Sequence, residues 1–242
     1  MPRFFKENFK DEPYIDGDDA VHIIKSLRMK TGEKVIVCDG KNTEFDCTVS
    51  NILPDRVCFS VNEELISQSE PDIEVTLCTG LLKGDKFEQV IKHSVELGVC
   101  NIQPLITENC VSRPDEKSLK SKEIRWQKIV YEAAGQCGRG VIPKVKSTKS
   151  FKEFLTTLSD FDLVLFFYER GEVPLGETLW DNDKAKKIAI ITGPEGGFSP
   201  QEAEAVKEYG AKSITLGKRI LRAETAVLAA LTGVMLLTDN LE

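Results

Sequence analysis

Length and composition already narrow the classes of protein to which this chain can belong. It has 242 residues, of which 41% are hydrophobic and 29% are charged, and its formal net charge is −7. These proportions are typical of a globular chain of one large domain or two unequal ones, and they argue against wholesale disorder. No apolar run reaches the roughly 18 residues that a membrane-spanning helix needs, so we expect no membrane segment.

The cysteines and histidines predict reduced thiols and no metal centre. The seven cysteines form no Cys-x-x-Cys pair, and the first residues show no signal-peptide pattern. We therefore expect a cytoplasmic protein without a disulfide framework. The two histidines, His22 and His93, fall in different predicted domains, which makes a histidine-rich metal site improbable.

The first part of the chain predicts a small β domain. Lys34–Asp39 and Thr43–Val49 are predicted strands, joined by a tight turn at Asp39–Asn42, because Asp-Gly and Asn tolerate the backbone angles of such turns. Val57–Val61 is a further predicted strand, and His22–Met29 is a predicted short helix. A small barrel is the natural way to bury strands of this length.

A polar segment, 62–72, predicts a boundary that divides the chain into domains 1–70 and 71–242. After it, strands alternate with helices, which predicts an open and mostly parallel α/β sheet. The predicted strands are Ile73–Leu82, Val99–Ile106, Leu163–Phe167, Ile188–Ile191 and Ser213–Leu216. The predicted helices are Asp85–Leu97, Lys117–Cys137, Phe151–Leu158, Pro200–Tyr209 and Leu221–Leu237.

Two loops that follow predicted strands are candidates for a ligand site, because open α/β sheets bind ligands at the carboxyl ends of their strands. The segment 192–199 carries three glycines, which allow the backbone to approach a ligand closely. The segment 216–226 leads into the most apolar helix. Neither loop forms a GxGxxG or GxxxxGK[S/T] nucleotide signature, and the GxSxG nucleophile motif is also absent. Taken alone, either loop would equally suit a plain connection between strand and helix.

Several motifs, in the right order along the chain, resemble one family. The two strongest are Thr192-Gly193-Pro194-Glu195-Gly196-Gly197-Phe198-Ser199 and Leu216-Gly217-x-x-Ile220-Leu221-Arg222-x-Glu224-Thr225-Ala226. Shorter matches lie at Pro2-Arg3-Phe4-Phe5, at 83–86, at 96–99 and at 132–139. Together these motifs are similar to those of the RsmE family of ribosomal RNA methyltransferases, which belongs to the SPOUT superfamily.

The resemblance implies a fold, a cofactor and a reaction. The fold is α/β, with a SPOUT trefoil-knot methyltransferase domain at 71–242 preceded by a small PUA-like, RNA-binding β-barrel domain at 1–70. The cofactor is S-adenosylmethionine, and the reaction is methylation of N3 of a specific uridine in the 16S ribosomal RNA of the small subunit. The resemblance also implies a homodimer formed through the knot domain, and neither a membrane nor a metal partner.

The resemblance also assigns site residues. In the cofactor site, backbone groups of three loops would hold S-adenosylmethionine. The residues expected to contribute are Thr192, Gly193 and Gly197 from one loop, Leu216, Gly217, Ile220 and Leu221 from another, and residues near Tyr168-Glu169 from the third. The candidate catalytic residues are Arg222, which could stabilise the charge developing on the uracil ring, and Glu195, which could accept the N3 proton. For RNA binding, the candidates are Arg3, Arg28 and Arg139.

Two alternatives stay open at this point. One is a different SPOUT reaction, such as methylation of a ribose 2′-hydroxyl, which the identity of the methylated nucleoside would reveal. The other is an RNA-binding or ribosome-assembly factor that keeps the knot without turnover, and cofactor affinity would separate it from an enzyme.

Overall fold

The structure is a computed structural model that describes residues 1–241, and contacts divide these into two compact units. The first unit consists of Met1–Glu70 together with Ala134–Ile142. The second consists of Pro71–Ala133 and the chain from Pro143 onward. The first unit therefore includes a short segment that is distant in sequence from the rest of it.

The first unit is built around a five-stranded sheet with the strand order β1-β3-β4-β5-β2. β1 pairs with β3 in parallel, and the other pairings are antiparallel. Phe9 is fully buried beneath the sheet, with its ring centroid 5.3 Å from that of Phe45 and 5.9 Å from that of Phe59. The elements are β1 (Arg3–Phe5), β2 (Tyr14–Asp16), α1 (Gly17–Val21), a π-helical turn (His22–Leu27), β3 (Lys34–Cys38), β4 (Thr43–Ile52) and β5 (Arg56–Ile66).

The predicted hairpin is present and its turn chemistry is visible. Gly40 and Asn42 both adopt positive φ, at 76° and 80°. The Asp39 carboxylate accepts hydrogen bonds from the backbone amides of Lys41 and Thr43, at 2.7 and 3.0 Å. Aspartate and asparagine thus fix the turn through local side-chain bonds and tolerance of the left-handed region.

Two local predictions were wrong in extent. The segment 62–66 belongs to β5, because its exposed residues 63–66 pair with the start of β4 from Thr43 to Asp46. The predicted helix at His22–Met29 begins earlier, as α1, and continues as a π-helical turn that ends at Arg28, whose φ is 52°. An exposed hairpin end lacks the alternation of polar and apolar residues by which strands are recognised.

The second unit contains an eight-stranded sheet with the order β11-β13-β10-β12-β6-β7-β8, and β9 pairs separately with β7. Every pairing in it is parallel, which confirms the predicted sheet type. The strands are β6 (Glu74–Gly80), β7 (Asn101–Ile106), β8 (Lys144–Val145), β9 (Lys149–Ser150), β10 (Leu163–Phe167), β11 (Val173–Pro174), β12 (Lys187–Thr192) and β13 (Lys212–Thr215). The helices are α2 (Lys86–Glu96), α3 (Glu116–Cys137), α4 (Phe151–Leu155), α5 (Leu175–Trp180), α6 (Pro200–Glu208) and α7 (Ala223–Leu237), with a 3₁₀ turn at Leu158–Asp160.

The apolar composition of its inner strands explains why this sheet is buried. The five residues of β10 are all buried, as are all but the first residue of β12, as expected for strands that are covered on both faces. The helix α6 begins with a capping box, in which Ser199 and Glu202 satisfy each other's backbone amides, and Pro200 occupies its first turn. The cap fixes the point at which the chain leaves the glycine-rich loop after β12.

Candidate functional site

A cavity of about 330 Å³ lies at the carboxyl ends of β10, β12 and β13 in the second unit. Its size falls within the range of small-molecule pockets, roughly 300–1,000 Å³. Three loops and the first turn of α7 line it. The lining residues are Phe167, Tyr168, Glu169, Gly193, Pro194, Glu195, Gly196, Gly197, Phe198, Ile214, Thr215, Leu216, Gly217, Lys218, Arg219, Ile220, Leu221 and Ala226.

The loop after β12 is shaped by close packing around its glycines. A Cβ on Gly193 would lie 3.0 Å from the Phe198 ring, and a Cβ on Gly196 would lie 2.9 Å from the Cβ of Asn109. Gly197 has a φ of 66°, in the left-handed region that favours glycine. Phe198 itself is 5% exposed and packs on Phe166, with ring centroids 4.9 Å apart. Packing therefore requires glycine at 193 and 196, and the backbone angle favours it at 197, which leaves backbone groups of this loop without covering side chains.

Hydrogen bonds from neighbouring segments fix the same loop. The side-chain amide of Asn109 donates to the Gly196 carbonyl at 3.0 Å, and the Gly197 amide donates to the Pro194 carbonyl at 2.9 Å. The Glu195 carboxylate accepts from the backbone amide of Lys83 at 3.0 Å. The loop is thus preorganised by the fold.

The loop after β13 supplies the opposite wall. Gly217 has a φ of 95°, and a Cβ built on it would have no neighbour within 4 Å. Its amide donates to the Thr215 hydroxyl at 3.1 Å. Ile220 is 89% exposed although it lines the cavity, which leaves an apolar side chain at the rim without protein packing.

Six of the seven residues predicted to bind cofactor in the two glycine loops line this cavity: Gly193, Gly197, Leu216, Gly217, Ile220 and Leu221. Thr192 does not line it. It is 1% exposed at the end of β12, and its hydroxyl has no hydrogen-bond partner among the described residues. The structure therefore brings two loops, separated by about twenty residues in sequence, to one cavity, as strand order in a parallel sheet requires.

The two candidate catalytic residues have different environments. Glu195 lines the cavity and is exposed, and its hydrogen bond to the Lys83 amide gives the carboxylate a structural task as well. Arg222 is exposed and sits at the N-cap of α7, between the lining residues Leu221 and Ala226, but it is not itself in the cavity wall. Within the described chain its guanidinium forms no ion pair.

Two charged residues that line the cavity, Lys218 and Arg219, were not assigned from the sequence, whereas Glu169 falls in the third loop expected there. Lys218 and Arg219 lie inside the second loop motif, and Glu169 follows β10. Lys218 and Arg219 could have been found from their position between the motif residues Gly217 and Ile220. For Glu169 the resemblance indicated the segment around Tyr168 and Glu169, and both residues line the cavity.

The three arginines predicted to bind RNA are placed very differently, although all belong to the first unit. Arg28 is exposed, and its neighbours Lys25 and Lys30 are exposed as well. Arg3 pairs with Glu44 at 2.7 Å, and its side chain is 14% exposed. Burial raises the pKa of the Glu44 carboxyl, but hydrogen bonds from Arg3 and Ser67 outweigh it, so the net pKa is lowered.

Arg139 conflicts with its predicted role as an RNA contact. It is 3% exposed, and its Nη2 lies 2.6 Å from a Glu70 carboxylate oxygen. The same carboxylate accepts from the backbone amides of Gly140 and Val141, at 2.9 and 3.1 Å. The guanidinium thus serves an internal ion pair that fastens 134–142 to the first unit.

Replacing Arg139 with alanine is expected to lower the free energy of unfolding by roughly 3 kcal/mol, because it leaves the Glu70 carboxylate, whose side chain is only 14% exposed, without its cation. Chemical denaturation would measure this. Arg56→Ala is the matched control, since Arg56 forms an exposed pair with Asp55 and should change stability by about 1 kcal/mol or less. Equal stability of the two variants would contradict the role given to Arg139.

No group of three or more metal-ligating side chains is assembled within residues 1–241. Over the same range, no helix combines the length and the apolar character that crossing a membrane would require.

Comparison with known proteins agrees with the two units. A family model described as an RNA methyltransferase domain matches residues 69–235, and one described as an RNA methyltransferase PUA domain matches residues 15–61. The fold class is therefore confirmed as a PUA-like β domain followed by an α/β methyltransferase domain.

Individual relatives cover nearly the whole chain. The ribosomal RNA small subunit methyltransferase E of Bacillus subtilis is 34% identical over 100% of this chain and 98% of its own length. That of Mesomycoplasma hyopneumoniae is 32% identical over 96% and 98%. The crystal structure of the Neisseria gonorrhoeae enzyme of that name, bound to S-adenosylmethionine, is 31% identical, superimposes with a TM-score of 0.89, and covers 98% of each chain. With its motifs, its fold and its full-length relatives in agreement, this chain belongs to the ribosomal RNA small subunit methyltransferase E family.

Proposed function

We propose that this protein transfers a methyl group from S-adenosylmethionine to N3 of a specific uridine in 16S ribosomal RNA. The observation that carries the proposal is the cavity at the carboxyl ends of β10, β12 and β13, where six of the predicted cofactor residues meet. The relative from Neisseria gonorrhoeae, whose structure holds S-adenosylmethionine, shares the fold over nearly its full length.

The lining of the cavity suits this cofactor. Backbone groups next to Gly193, Gly197 and Gly217 are not shielded by side chains, so amides and carbonyls can reach the edge of an adenine ring. Leu216 and Leu221 supply apolar surface for the ring. Such a combination of apolar walls with a few polar groups is typical of cofactor pockets.

Charge in the cavity is also compatible with a ligand that has charges of both signs. The carboxylates of Glu169 and Glu195 and the cations of Lys218 and Arg219 all line it. S-adenosylmethionine carries an ammonium group, a sulfonium and a carboxylate, so each of its charges can face an opposite one. When bound, it supplies a methyl group that is already activated for transfer.

The residues of the chain must then align uracil and stabilise the charge that develops on its ring. Loss of the N3 proton spreads negative charge over O2 and O4, and a positioned cation lowers the energy of that state. Arg222 fits this role because it is exposed, has no ion-pair partner within residues 1–241, and adjoins the cavity through Leu221. Glu195 is the carboxylate proposed to accept the proton, since it lines the same cavity.

RNA contact is proposed for the first unit, residues 1–70 in the two-domain assignment, with 71–242 as the methyltransferase domain. Arg28, with exposed Lys25 and Lys30 beside it, offers a basic patch that phosphates can reach. Arg3 is proposed to lie beside such a contact without binding phosphate itself, because its side chain is mostly covered and Glu44 already neutralises its charge.

Replacing Arg28 with asparagine should weaken binding to small ribosomal subunits and reduce the slope of log affinity against log salt by about one. Asparagine tolerates the positive φ of this position, so the backbone is kept. Filter binding at several salt concentrations would measure the slope. If Arg28→Asn and the control Arg56→Ala gave the same slope as the unchanged protein, Arg28 would not contact phosphate.

We further propose that the protein works in the cytoplasm as a homodimer joined through a trefoil-knotted second domain. The helix α7 supports the dimer, because Leu236 and Leu237 near its end are 49% and 41% exposed in a single chain. A small side chain on the same helix, that of Ala229, allows close helix packing, whereas Gly233 is already covered by Leu175 of α5 in the same chain.

Cofactor affinity separates the enzyme from a non-catalytic assembly factor. Calorimetric titration of the full chain with S-adenosylmethionine should show one saturable site for each chain. The same titration with Gly210→Ala is a control, because Gly210 lies outside the cavity lining. Absence of binding would refute the proposed cofactor and favour a factor that keeps the fold alone.

A further inference from the structure

The second unit has another cavity, of about 540 Å³, that shares no lining residue with the first. It lies over the amino-terminal half of the sheet, where Glu74 and Lys187 are the first residues of β6 and β12 and stand opposite each other in register. Alternation along β6 puts Thr76 and Cys78 on the same face as Glu74. The cavity is therefore at the other end of the sheet from the glycine loops.

The floor of this cavity has a buried polar group without a partner. Thr76 is 1% exposed, and its hydroxyl makes no hydrogen bond with any described residue. Beside it, Gln103 is 3% exposed, and its amide nitrogen donates to the carbonyls of Pro104 and Ser147 at 3.0 and 2.8 Å. Buried hydroxyls in native proteins are nearly always satisfied, so the Thr76 hydroxyl points to a polar ligand or a bound water in the cavity.

Three lysines, Lys146, Lys149 and Lys187, line the cavity, and none forms an ion pair within residues 1–241. Burial raises the pKa of the Cys78 thiol, while the charges of Lys146 and Lys149 act in the opposite direction. Both ammonium groups therefore lie within electrostatic reach of the strand at the cavity floor.

Nearby carboxylates reduce this positive charge but do not remove it from the cavity lining, where three lysines face two acidic residues. Glu74 and Asp160 line the cavity, but Glu74 already accepts a hydrogen bond from the Asn101 side chain at 3.0 Å. Glu153 does not line the cavity, but its charge interacts with that of Lys149. Its carboxylate accepts a hydrogen bond from the Ser150 hydroxyl at 2.6 Å.

Asp162 is close enough to Lys187 to interact with it, yet its carboxylate accepts the backbone amides of Lys186 and Lys187, at 2.9 and 2.8 Å. These hydrogen bonds leave the carboxylates charged, but no carboxylate of residues 1–241 lies within ion-pair distance of the three ammonium groups.

From this arrangement we infer that the cavity is a second binding site, for a phosphorylated small molecule of about mononucleotide size. The three lysines would hold the phosphate, the Thr76 hydroxyl and Gln103 would meet polar groups, and Phe161 would cover an apolar ring. A volume of about 540 Å³ is ample for such a ligand. A small ligand is favoured over an RNA strand because the polar groups on the floor are almost completely buried.

Calorimetry on the full chain tests this site with adenosine 5′-monophosphate and inorganic pyrophosphate as probes. S-adenosylhomocysteine is added to saturation first, so that the probe cannot enter the glycine-loop cavity, and its own titration reports separately on the proposed cofactor site. We expect at least one of the probes to bind, at one site for each chain, and to bind more weakly as salt is added. Absence of binding of both probes at millimolar concentration would overturn the inference.

Variants locate the binding. The triple variant Lys146→Gln, Lys149→Gln, Lys187→Gln should weaken probe binding by about tenfold or more and leave S-adenosylhomocysteine affinity unchanged. The matched control, Lys117→Gln, Lys120→Gln, Lys128→Gln, removes the same charge from the exposed face of α3 and should bind the probe normally. Equal affinity of the two triple variants would place the probe elsewhere and refute the site.

A single substitution at Thr76 tests the role of the buried hydroxyl. Binding to small ribosomal subunits tests whether the lysines hold a small molecule or RNA. Thr76→Val keeps the shape of the side chain and removes the unpartnered hydroxyl, so it should raise the melting temperature and weaken probe binding severalfold. If the lysine triple variant instead lost affinity for small ribosomal subunits while probe binding stayed intact, the lysines would serve RNA and the small-molecule site would be wrong.

Discussion

Replacing Gly217 with valine is expected to abolish binding of S-adenosylmethionine while the protein still unfolds cooperatively. Gly217 has a φ of 95° and faces the cavity, so a branched side chain would both strain the backbone and occupy ligand space. We expect affinity to fall by about 100-fold or more, which corresponds to about 2.7 kcal/mol of binding free energy. Calorimetric titration and thermal melting on the same sample would measure the two effects.

The fold offers a closely matched control for this substitution. Gly210 has a φ of 86°, has no neighbour within 4 Å of a built Cβ, and lies outside the cavity. Gly210→Val should therefore lower stability about as much as Gly217→Val, by roughly 1–2 kcal/mol, without changing cofactor affinity. If both variants bound cofactor equally well, the loop after β13 would not form part of the site. Gly193→Val is a harsher second test, because its Cβ would press on the Phe198 ring at 3.0 Å.

Truncation of Arg222 to alanine should lower kcat by about 10²–10³-fold, the usual effect of removing one group that stabilises charge in the transition state. Cofactor affinity should stay unchanged, since Arg222 is not in the cavity wall. The start of α7 should also survive, because the Arg222 side chain makes no cap bond and its backbone carbonyl still accepts the Ala226 amide. Single-turnover methyl transfer to small subunits would measure the rate.

The control for that substitution is Arg125→Ala, which removes an exposed arginine paired with Glu88 in the same unit. It should keep full turnover, and Arg222→Lys should recover part of the lost rate by restoring a cation. Full activity of Arg222→Ala would show that the charge on uracil is stabilised by another group, for which Lys218 and Arg219 are the cations already in the cavity.

Local sequence patterns predicted five of the eight strands of the second sheet and the loops that line the cavity, because those features depend on short-range physics, but they missed the two-residue strands β8, β9 and β11. Buried parallel strands such as β10 and β12 are continuous apolar runs, and the cap at Ser199 is a four-residue pattern. Glycines at 193, 197 and 217 mark places where packing or backbone angle excludes a side chain. The family motifs then joined the two loops into one site.

Features that depend on distant partners were not predictable in the same way. Arg139 was predicted to be an exposed RNA contact, but its guanidinium is buried against Glu70. Nothing near Arg139 in the sequence indicates this distant partner. The end of β5 was missed because its residues from Asn62 onward are all exposed, with three polar residues followed by Leu65 and Ile66, and so lack the alternation of a half-buried strand. The lysine-lined cavity combines residues from β6, β7, β12 and the segment around β9, and only the strand order brings them together.

Identification of the methylated nucleoside tests the central proposal most directly. Small ribosomal subunits that lack the modification would be incubated with the purified protein and with S-adenosylmethionine labelled in its methyl group. The RNA would then be digested, and its nucleosides separated and identified by mass spectrometry. We predict that the label appears in N3-methyluridine and that Arg222→Ala slows its appearance. Label in a 2′-O-methylated nucleoside, or no label in a protein that binds the cofactor, would contradict the proposed reaction.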